Sequence, residues 1–385
     1  MNIHCLNSIS QEGLKHLGKN YNIVDTIDTA DAILVRSAAM HDMQIPESVL
    51  CVARAGAGVN NIPIEEYSKR GIVVFNTPGA NANGVKELVL CGMLIAARDV
   101  IGGTEWVQSI SDHEGIEKDV EKGKKAFAGS EIRGKKLGVI GLGAIGGQVA
   151  AAAISLGMEV LGYDPFISIN AAWMLSNQIE RVIDLERIYR ECDYITLHVP
   201  FTKENEGMIC KQTLDMMKDG VVVLNMARGA LVNDDDMAAA LSSGKVKRYV
   251  TDFPDTKTSS MEGCIAIPHL GASTQESEEN CAVMAVRETM EYLKYGTISN
   301  SVNFPTCDIG KCQSAQRLVI LNKNVPNMLG QITSVVAEAG VNIANLMNKS
   351  REAYACTILD LETQTNQDCI EKIAAIDGVL RVRVI

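Results

Sequence analysis

Short runs of aliphatic and β-branched residues alternate with longer helical patterns along the chain as far as residue 299. This alternation is typical of parallel α/β architecture, in which a helix follows each strand. Several runs are apolar at almost every position, which is expected where both faces of a sheet are buried. The predicted strands are Ala32–Arg36, Gly71–Phe75, Leu137–Ile140, Val160–Tyr163, Tyr194–Val199, Val221–Asn225, Arg248–Thr251 and Cys264–Ile267, and Val85–Val100 is a predicted helix.

The pattern changes near residue 300. Segment 301–315 is polar and contains Pro305 and Gly310, so it is predicted to be a linker. The last 70 or so residues then predict strand, helix, strand, strand, helix and strand, which is the order of a ferredoxin-like fold. These elements are Arg317–Leu321, Met328–Ala339, Val341–Met347, Ala353–Leu361, Gln367–Ala375 and Val379–Ile385.

Composition narrows the class of protein. A chain of 385 residues with 46% hydrophobic residues is long enough for two or three domains with large cores. Its net charge of −11 argues against nucleic acid or an anionic membrane as partner. Eleven scattered cysteines without a C-x-x-C pair indicate neither a zinc site nor a disulfide framework. We therefore expect no metal, and reduced thiols in the cytoplasm. The start MNIHCLNSIS has neither a basic region nor a long apolar core, so we expect no signal peptide.

A glycine-rich turn follows the predicted strand Leu137–Ile140. Gly141, Gly143 and Gly146 form G-x-G-x-x-G between that strand and a helix, an arrangement that lets a pyrophosphate approach the helix N-terminus. Asp164 ends the next strand, where a carboxylate can accept hydrogen bonds from ribose hydroxyls and would repel a 2′-phosphate. The motif predicts NAD rather than NADP. A purely structural turn and a structural strand-end Asp are the alternatives.

Polar residues end five predicted strands, and in open parallel sheets ligands lie beyond those ends. They are Asp164, His198, Asn225 with Arg228, Asp252 and His269. Arg228 can hold a carboxylate by two parallel hydrogen bonds, with a surface arginine as the alternative. His269 has the chemistry of a general base, whereas a structural histidine is the alternative. His198 is a candidate for lining the nicotinamide pocket.

The stretches GLGAIG, NMARG and PHLGAST, at these separations, resemble the D-isomer-specific 2-hydroxyacid dehydrogenases over nearly the whole chain. The C-terminal part resembles an ACT regulatory domain. The fold this implies is α/β, with two Rossmann-like doubly wound domains plus a ferredoxin-like ACT domain. The implied bounds are 1–98 with 270–300 for a discontinuous substrate-binding domain, 99–269 for the NAD-binding domain, 301–315 for the linker and 316–385 for the ACT domain.

The resemblance implies NAD-dependent oxidation of 3-phospho-D-glycerate to 3-phosphohydroxypyruvate, the first step of L-serine biosynthesis. Arg228 would bind the substrate carboxylate and His269 would handle the proton. The other implied contacts are Gly143, Ala144 and Ile145 with the pyrophosphate, Asp164 with the ribose, Met226 and Asp252 along the dinucleotide, and Arg36, Arg54 and Asn81 with the phosphate or carboxylate of a phosphorylated 2-hydroxy acid.

One departure from the family concerns the partner of His269. The family usually carries a Glu shortly after the Asp252 strand, and here Asp255 is nearest while Glu262 is farther along. Either Asp255 substitutes, or the His works without a direct partner; a carboxylate would fix its tautomer.

The ACT-like part adds an effector hypothesis. Asn322, Asn324 and Asn342 match positions that meet L-serine in inhibited members, which implies a homo-oligomer, a dimer or tetramer. Rival interpretations are a glyoxylate/hydroxypyruvate reductase, a D-lactate-type dehydrogenase and a non-catalytic dinucleotide sensor.

Overall fold

The computed structural model describes the backbone of residues 1–385 and every side chain except that of residue 170. By its internal contacts the chain forms two units, residues 1–81 with 275–385, and residues 82–274. The strands are β1 Asn2–Cys5, β2 Asn22–Val24, β3 Ala32–Val35, β4 Cys51–Arg54, β5 Val73–Phe75, β6 Lys136–Ile140, β7 Glu159–Tyr163, β8 Ile179–Arg181, β9 Tyr194–Leu197, β10 Val221–Asn225, β11 Val246–Thr251, β12 Cys264–Ala266, β13 Gln316–Lys323, β14 Ile343–Arg351, β15 Tyr354–Leu361 and β16 Val379–Val384. The helices are α1 Gln11–Leu14, α2 Ile64–Lys69, α3 Ala82–Ala97, α4 Val100–Ser109, α5 Ile116–Gly123, α6 Ala144–Ser155, α7 Ile169–Trp173, α8 Leu185–Glu191, α9 Lys211–Met216, α10 Asp234–Ser242, α11 Gln275–Tyr295, α12 Met328–Glu338 and α13 Gln367–Ala374.

Residues 82–274 form a doubly wound domain around one parallel sheet. Its strand order is β12-β11-β10-β9-β6-β7-β8, so the chain reverses direction across the sheet between β6 and β9. Separate apolar cores line the two faces, with α3 and α6 in one and α8, α9 and α10 in the other. This double burial explains why strands such as β10 are apolar throughout.

The unit of residues 1–81 and 275–385 contains a second parallel sheet of order β2-β1-β3-β4-β5. The long helix α11 packs on this sheet and on α1. Gly13 of α1 allows the close approach, because a Cβ there would lie 2.5 Å from Cβ of Ala282. The order is that of a second doubly wound sheet.

The C-terminal residues form a four-stranded antiparallel sheet of order β14-β15-β13-β16, with α12 and α13 on one face. Its other face is also buried: Val319, Leu321, Cys356 and Ile358 belong to the same core as α11 and the N-terminal sheet. The C-terminal sheet is therefore packed on both sides, and it belongs to the compact unit of residues 1–81 and 275–385.

Two arginines of β16 attach this sheet to its neighbours. Arg383 donates to the carbonyls of Tyr292 and Leu293, in the last turn of α11, at 3.0 Å each. A cation is favourable there because the helix dipole is negative at that end. Arg381 donates to the carbonyl of Val49 at 3.1 Å and to that of Arg70 at 3.3 Å.

The predicted fold class is confirmed, with two parallel doubly wound sheets and a small antiparallel C-terminal sheet. Strands β1, β2, β4 and β8 were not predicted. Segment 301–315, expected as a linker, is buried at Phe304 and Cys307. Asn303 explains the close packing, because its amide accepts from Val74 N and donates to the carbonyl of Ile72, both at 2.9 Å. The assignment of separate domain functions to the predicted bounds stays a prediction.

Candidate active site

The glycine-rich turn connects β6 to α6 under steric constraints that exclude side chains at two positions. Gly141 has a φ of 92°, and a Cβ there would lie 2.5 Å from the carbonyl oxygen of His198. A Cβ on Gly146 would lie 1.9 Å from the carbonyl oxygen of Gly141. These two glycines therefore bring α6 directly against the turn.

The N-terminus of α6 is open to solvent. Gly143 is the N-cap residue, and no described side chain caps the helix there. Gly143 and Ala144 are exposed, Ile145 is half-buried against the core, and a Cβ on Gly143 would meet nothing within 4 Å. The turn thus leaves backbone N–H groups and the positive end of a twelve-residue helix facing free space, as an anionic group requires.

Asp164 follows β7 and holds the turn in place. Its Oδ2 accepts from Leu142 N and its Oδ1 from Phe166 N, both at 2.9 Å. Each oxygen keeps one further lone pair, and the residue is half-buried. The carboxylate remains able to accept hydroxyl donors, so its predicted role at a ribose stays a prediction.

His198 follows β9, the strand that lies next to β6 where the strand order of the sheet reverses. Its Nε2 is 2.9 Å from Thr196 Oγ1, while its Nδ1 is buried without a partner among the described residues. Burial lowers the pKa of His198 to about 4, so the ring is neutral at physiological pH.

Arg228 is placed by a buried asparagine. Asn225, fully buried at the end of β10, accepts from Ala227 N at 3.2 Å and Arg228 N at 3.3 Å, and donates to the Arg228 carbonyl at 2.9 Å. The bonds fold the chain back and leave the guanidinium exposed. Sequence reasoning noted the polar strand end at Asn225 but missed this organising role.

Three residues beyond β11 and β12 lie close to Arg228. Asp252 is 2% exposed; its Oδ2 accepts from Gly271 N at 3.3 Å, and its Oδ1 has no partner among the described residues. Burial raises the pKa of Asp252, while the nearby His269 and Arg228 act in the opposite direction. The ring of Phe253 contacts His269, with centroids 4.7 Å apart. The structure thus brings together Arg228, Asp252 and His269.

Two predicted site residues are engaged elsewhere. Asp255 Oδ1 accepts from Thr258 N at 2.7 Å and from Thr258 Oγ1 at 2.8 Å, so this oxygen stabilises its own turn, and no contact between Asp255 and His269 is described. The side chain of Met226 is 6% exposed and lies in the core, with its Cε 3.2 Å from a Cβ placed on Gly92. An apolar chain directly after a buried strand packs inward, so Met226 offers at most its backbone to a ligand.

The predicted substrate residues lie in the other unit. Arg36 forms an ion pair with Glu278 of α11. Arg54 donates from Nε to the Arg36 carbonyl at 2.9 Å, and its Nη1 lies 2.8 Å from a Cβ placed on Gly58. Asn81 is half-buried directly before α3. Sequence reasoning missed the Glu278 counter-ion, which lies in the first turn of α11.

The three predicted effector residues do not converge within one chain. Asn322 pairs with Ala355 in the sheet, and Asn324 donates to the Glu352 carbonyl at 3.0 Å. Asn342 donates to Glu362 Oε2 at 3.1 Å, beyond the opposite end of β15. Six residues of β15 separate these positions, which is about 20 Å at the rise of a strand.

The described side chains fit a bound dinucleotide. Groups that could bind it follow strands of one sheet. They are the open N-terminus of α6, a free lone pair on each Asp164 oxygen, and the unpartnered buried atoms of His198 and Asp252. Among the described residues, no cluster of three or more His, Cys, Asp or Glu could hold a metal ion. In the same residues, no helix is both long and apolar enough to cross a membrane.

Comparison with known proteins agrees with this geometry. Residues 91–271 match the NAD-binding domain of the D-isomer specific 2-hydroxyacid dehydrogenases. The chain is 32% identical to the D-3-phosphoglycerate dehydrogenase of Haemophilus influenzae over 339 residues, 85% of this chain and 79% of that protein. The chain belongs to the D-isomer-specific 2-hydroxyacid dehydrogenases. It is an NAD-dependent oxidoreductase.

Two further relatives differ in activity. A hydroxypyruvate reductase of Thermotoga maritima is 34% identical over 291 residues, 72% of this chain and 90% of that protein. The structure of NAD⁺-bound 3-phosphoglycerate dehydrogenase from Entamoeba histolytica superposes with a TM-score of 0.59 at 27% identity, covering 79% of this chain and 98% of that one. The chain spans 61% and 59% of the length of the D-3-phosphoglycerate dehydrogenases of Methanocaldococcus jannaschii and Archaeoglobus fulgidus.

Proposed function

We propose that the chain oxidises 3-phospho-D-glycerate to 3-phosphohydroxypyruvate with NAD, as the first step of L-serine biosynthesis in the cytoplasm. The observation that carries the proposal is the grouping of Arg228, Asp252 and His269 beyond the ends of β10, β11 and β12. A carboxylate-binding cation and a proton-accepting imidazole are the two groups that oxidation of a 2-hydroxy acid requires.

Each residue has a defined part in this reaction. The exposed guanidinium of Arg228 binds the substrate carboxylate through two parallel hydrogen bonds. The imidazole of His269 accepts the proton of the C2 hydroxyl as the carbonyl forms, and returns it in the reverse direction. When bound, NAD supplies the hydride acceptor. The helix N-terminus at Gly143 and the Asp164 carboxylate would hold its pyrophosphate and ribose, and Asp252 and His198 would offer their unpartnered atoms.

The phosphate of the substrate is assigned to Arg54 and Arg36, with Asn81 as a further polar contact. Arg54 supports this assignment because it is half-buried beside the Gly56–Gly58 turn. Of its three guanidinium nitrogens, only Nε donates to the Arg36 carbonyl. Arg36 would have to exchange its ion pair with Glu278 for the phosphate.

The proposal also includes L-serine as an effector bound by Asn322, Asn324 and Asn342. The Oδ1 of Asn322 is buried without a partner among the described residues, which leaves an acceptor for an ammonium group. Because about 20 Å of β15 separates Asn322 from Asn342, one ligand can reach both only if two copies of the sheet contribute. The effector hypothesis therefore requires a homo-oligomer.

A second candidate is reduction of unphosphorylated hydroxypyruvate. The Arg36–Glu278 ion pair favours it, because a neutralised Arg36 gives no reason to prefer a phosphorylated substrate. The Thermotoga relative named as a hydroxypyruvate reductase points the same way.

An assay of NADH consumption tests the proposal. The rate with 3-phosphohydroxypyruvate is compared with the rate with hydroxypyruvate, and both are measured again in the presence of L-serine. We expect turnover with the phosphorylated keto acid and inhibition by serine. In Arg54→Met, the KM for the phosphorylated acid should rise about 10-fold or more, while turnover of hydroxypyruvate stays the same. Similar rates on both keto acids in the wild type would favour the second candidate.

A further inference from the structure

Phe253 lies between the two residues that carry the proposed function. Its ring centroid is 4.7 Å from that of His269, with the ring planes inclined by 55°. The guanidinium carbon of Arg228 is 5.9 Å from the same centroid. The sheet order explains this placement, because Phe253 follows β11, and β11 lies between β10, which precedes Arg228, and β12, which precedes His269.

The backbone around Phe253 is fixed from three sides. Its N–H donates to the Oγ1 of Thr251, a fully buried residue, at 3.1 Å. The preceding Asp252 is buried and accepts from Gly271 N. On the third side, a Cβ placed on Gly229 would lie 3.6 Å from Cβ of Phe253, so the turn after Arg228 packs directly on this side chain.

No hydrogen bond or ion pair between a carboxylate and the His269 ring is described within residues 82–274. Asp255 Oδ1 accepts twice from Thr258, and Asp252, which lies near His269, accepts from Gly271 N. An imidazole that must present one nitrogen to a substrate needs some neighbour that restricts its rotation. The neighbour with a described ring contact to it is Phe253.

We infer that Phe253 is the positioning residue of this site, holding the His269 imidazole and the Arg228 guanidinium at a fixed separation through ring contacts. The inference rests on the proposed function, and it names the side chain that holds His269 and Arg228 in their relative positions. An inclined aromatic pair and a cation near a ring face are both attractive arrangements. Removing the ring should therefore slow the chemical step, while cofactor binding at the α6 turn is unaffected.

Steady-state kinetics of Phe253→Leu and Phe253→Tyr test the inference. We expect kcat for 3-phosphohydroxypyruvate to fall about 10- to 100-fold in Phe253→Leu, because small displacements of reacting groups are costly. The Kd of NADH and the thermal unfolding midpoint should remain close to those of the wild type. Phe253→Tyr keeps the ring and should restore most of kcat.

Phe127→Leu is the matched control. It removes the ring of another aromatic pair of residues 82–274, in which Trp106 and Phe127 have centroids 5.3 Å apart, and should leave kcat unchanged. A Phe253→Leu enzyme that keeps wild-type kcat, with NADH binding intact, overturns the inference. Equal losses in Phe253→Leu and Phe253→Tyr overturn it as well.

An NMR measurement separates this inference from the proposed function. The chain has six histidines, so the Hε1 resonance of His269 can be assigned from His269→Gln. The Phe253 ring current should displace that resonance, and Phe253→Leu should move it. An unchanged resonance in an active enzyme overturns the inference alone. A wild-type protein that reduces neither keto acid overturns the proposed function, and the inference falls with it.

Discussion

Arg317 and Asp360 form a buried, bidentate ion pair between β13 and β15. Arg317 Nε is 2.6 Å from Asp360 Oδ1, and Nη2 is 2.9 Å from Oδ2, with side-chain exposures of 0% and 5%. The remaining Nη1 donates to the carbonyls of Tyr295 and Gly310 at 2.8 and 2.7 Å. One guanidinium thus joins the C-terminal sheet to the end of α11 and to the segment that connects them.

Arg317→Ala should be strongly destabilising. It leaves the Asp360 carboxylate buried without its partner and two carbonyls without donors, a loss of about 3–5 kcal/mol. Urea unfolding followed by circular dichroism measures the effect. The double variant Arg317→Met/Asp360→Leu, which removes both charges, should recover part of that loss. A single variant as stable as the wild type would contradict the prediction.

Glu288 makes stability depend on pH. It is 3% exposed on α11, its Oε1 accepts from Asn300 Nδ2 at 2.7 Å, and burial raises the pKa of Glu288 to about 8. The unfolded chain releases this proton near pH 4.3. The native state holds more protons between these values, so the contribution of this group is complete below about pH 4.3 and is lost as pH rises through 8.

Glu288→Gln keeps the neutral form at every pH. Urea unfolding at pH 5, 7 and 9 should show a flatter profile for the variant, with a gain over the wild type at pH 9 on the order of 5 kcal/mol. The control Glu276→Gln changes an exposed residue of the same helix and should follow the wild-type curve. Parallel curves for wild type and Glu288→Gln would show that Glu288 titrates normally.

Gly143→Ala separates folding from cofactor binding. A methyl group there meets nothing within 4 Å and the φ of −67° suits alanine, so stability should change by less than about 0.5 kcal/mol. The same methyl would occupy the space in front of the helix N-terminus. NADH affinity, measured by fluorescence titration, should fall about 10-fold or more. Gln148→Ala, on the exposed face of α6, should bind NADH like the wild type; undiminished affinity in Gly143→Ala would place the pyrophosphate elsewhere.

His269→Gln should lower kcat about 10²- to 10⁴-fold, the range that a positioned acid–base group contributes. NADH binding should persist, because the glycine-rich turn is intact. His113→Gln alters an exposed histidine of the same unit and serves as the control. Wild-type turnover in His269→Gln would assign the proton transfer to another group, for which the buried Asp252 is a candidate.

Much of the fold follows from local patterns. Apolar runs such as Val221–Val223 demand burial on both faces, and five polar strand ends mark one edge of a parallel sheet. Arg228, Asp252 and His269 could be brought together from the sequence because parallel strands end on the same side. Their mutual contact through Phe253 could not, since it depends on which strands are neighbours.

The errors have physical reasons as well. Asp255 lies near His269 in sequence, but a Thr three residues later offers its carboxylate two nearby donors. The sequence analysis missed that both faces of the C-terminal sheet are packed, although the apolar pattern of β13 indicates it. Leu318 and Ile320 face the helices while Val319 and Leu321 face the other way, so an apolar residue at every position indicates two covered faces.

The doubly covered C-terminal sheet also bears on how this chain can be divided. Cutting near residue 300 would expose the apolar side chains of Tyr292, Ile298 and Phe75 that now share a core with Val319 and Ile358. The remaining piece would present this apolar surface to solvent. We therefore expect it to aggregate and not to serve as a minimal enzyme. Arg383 of β16 donates directly to two carbonyls in the last turn of α11. A molecule that displaced β16 would therefore also move or break the contacts of that turn.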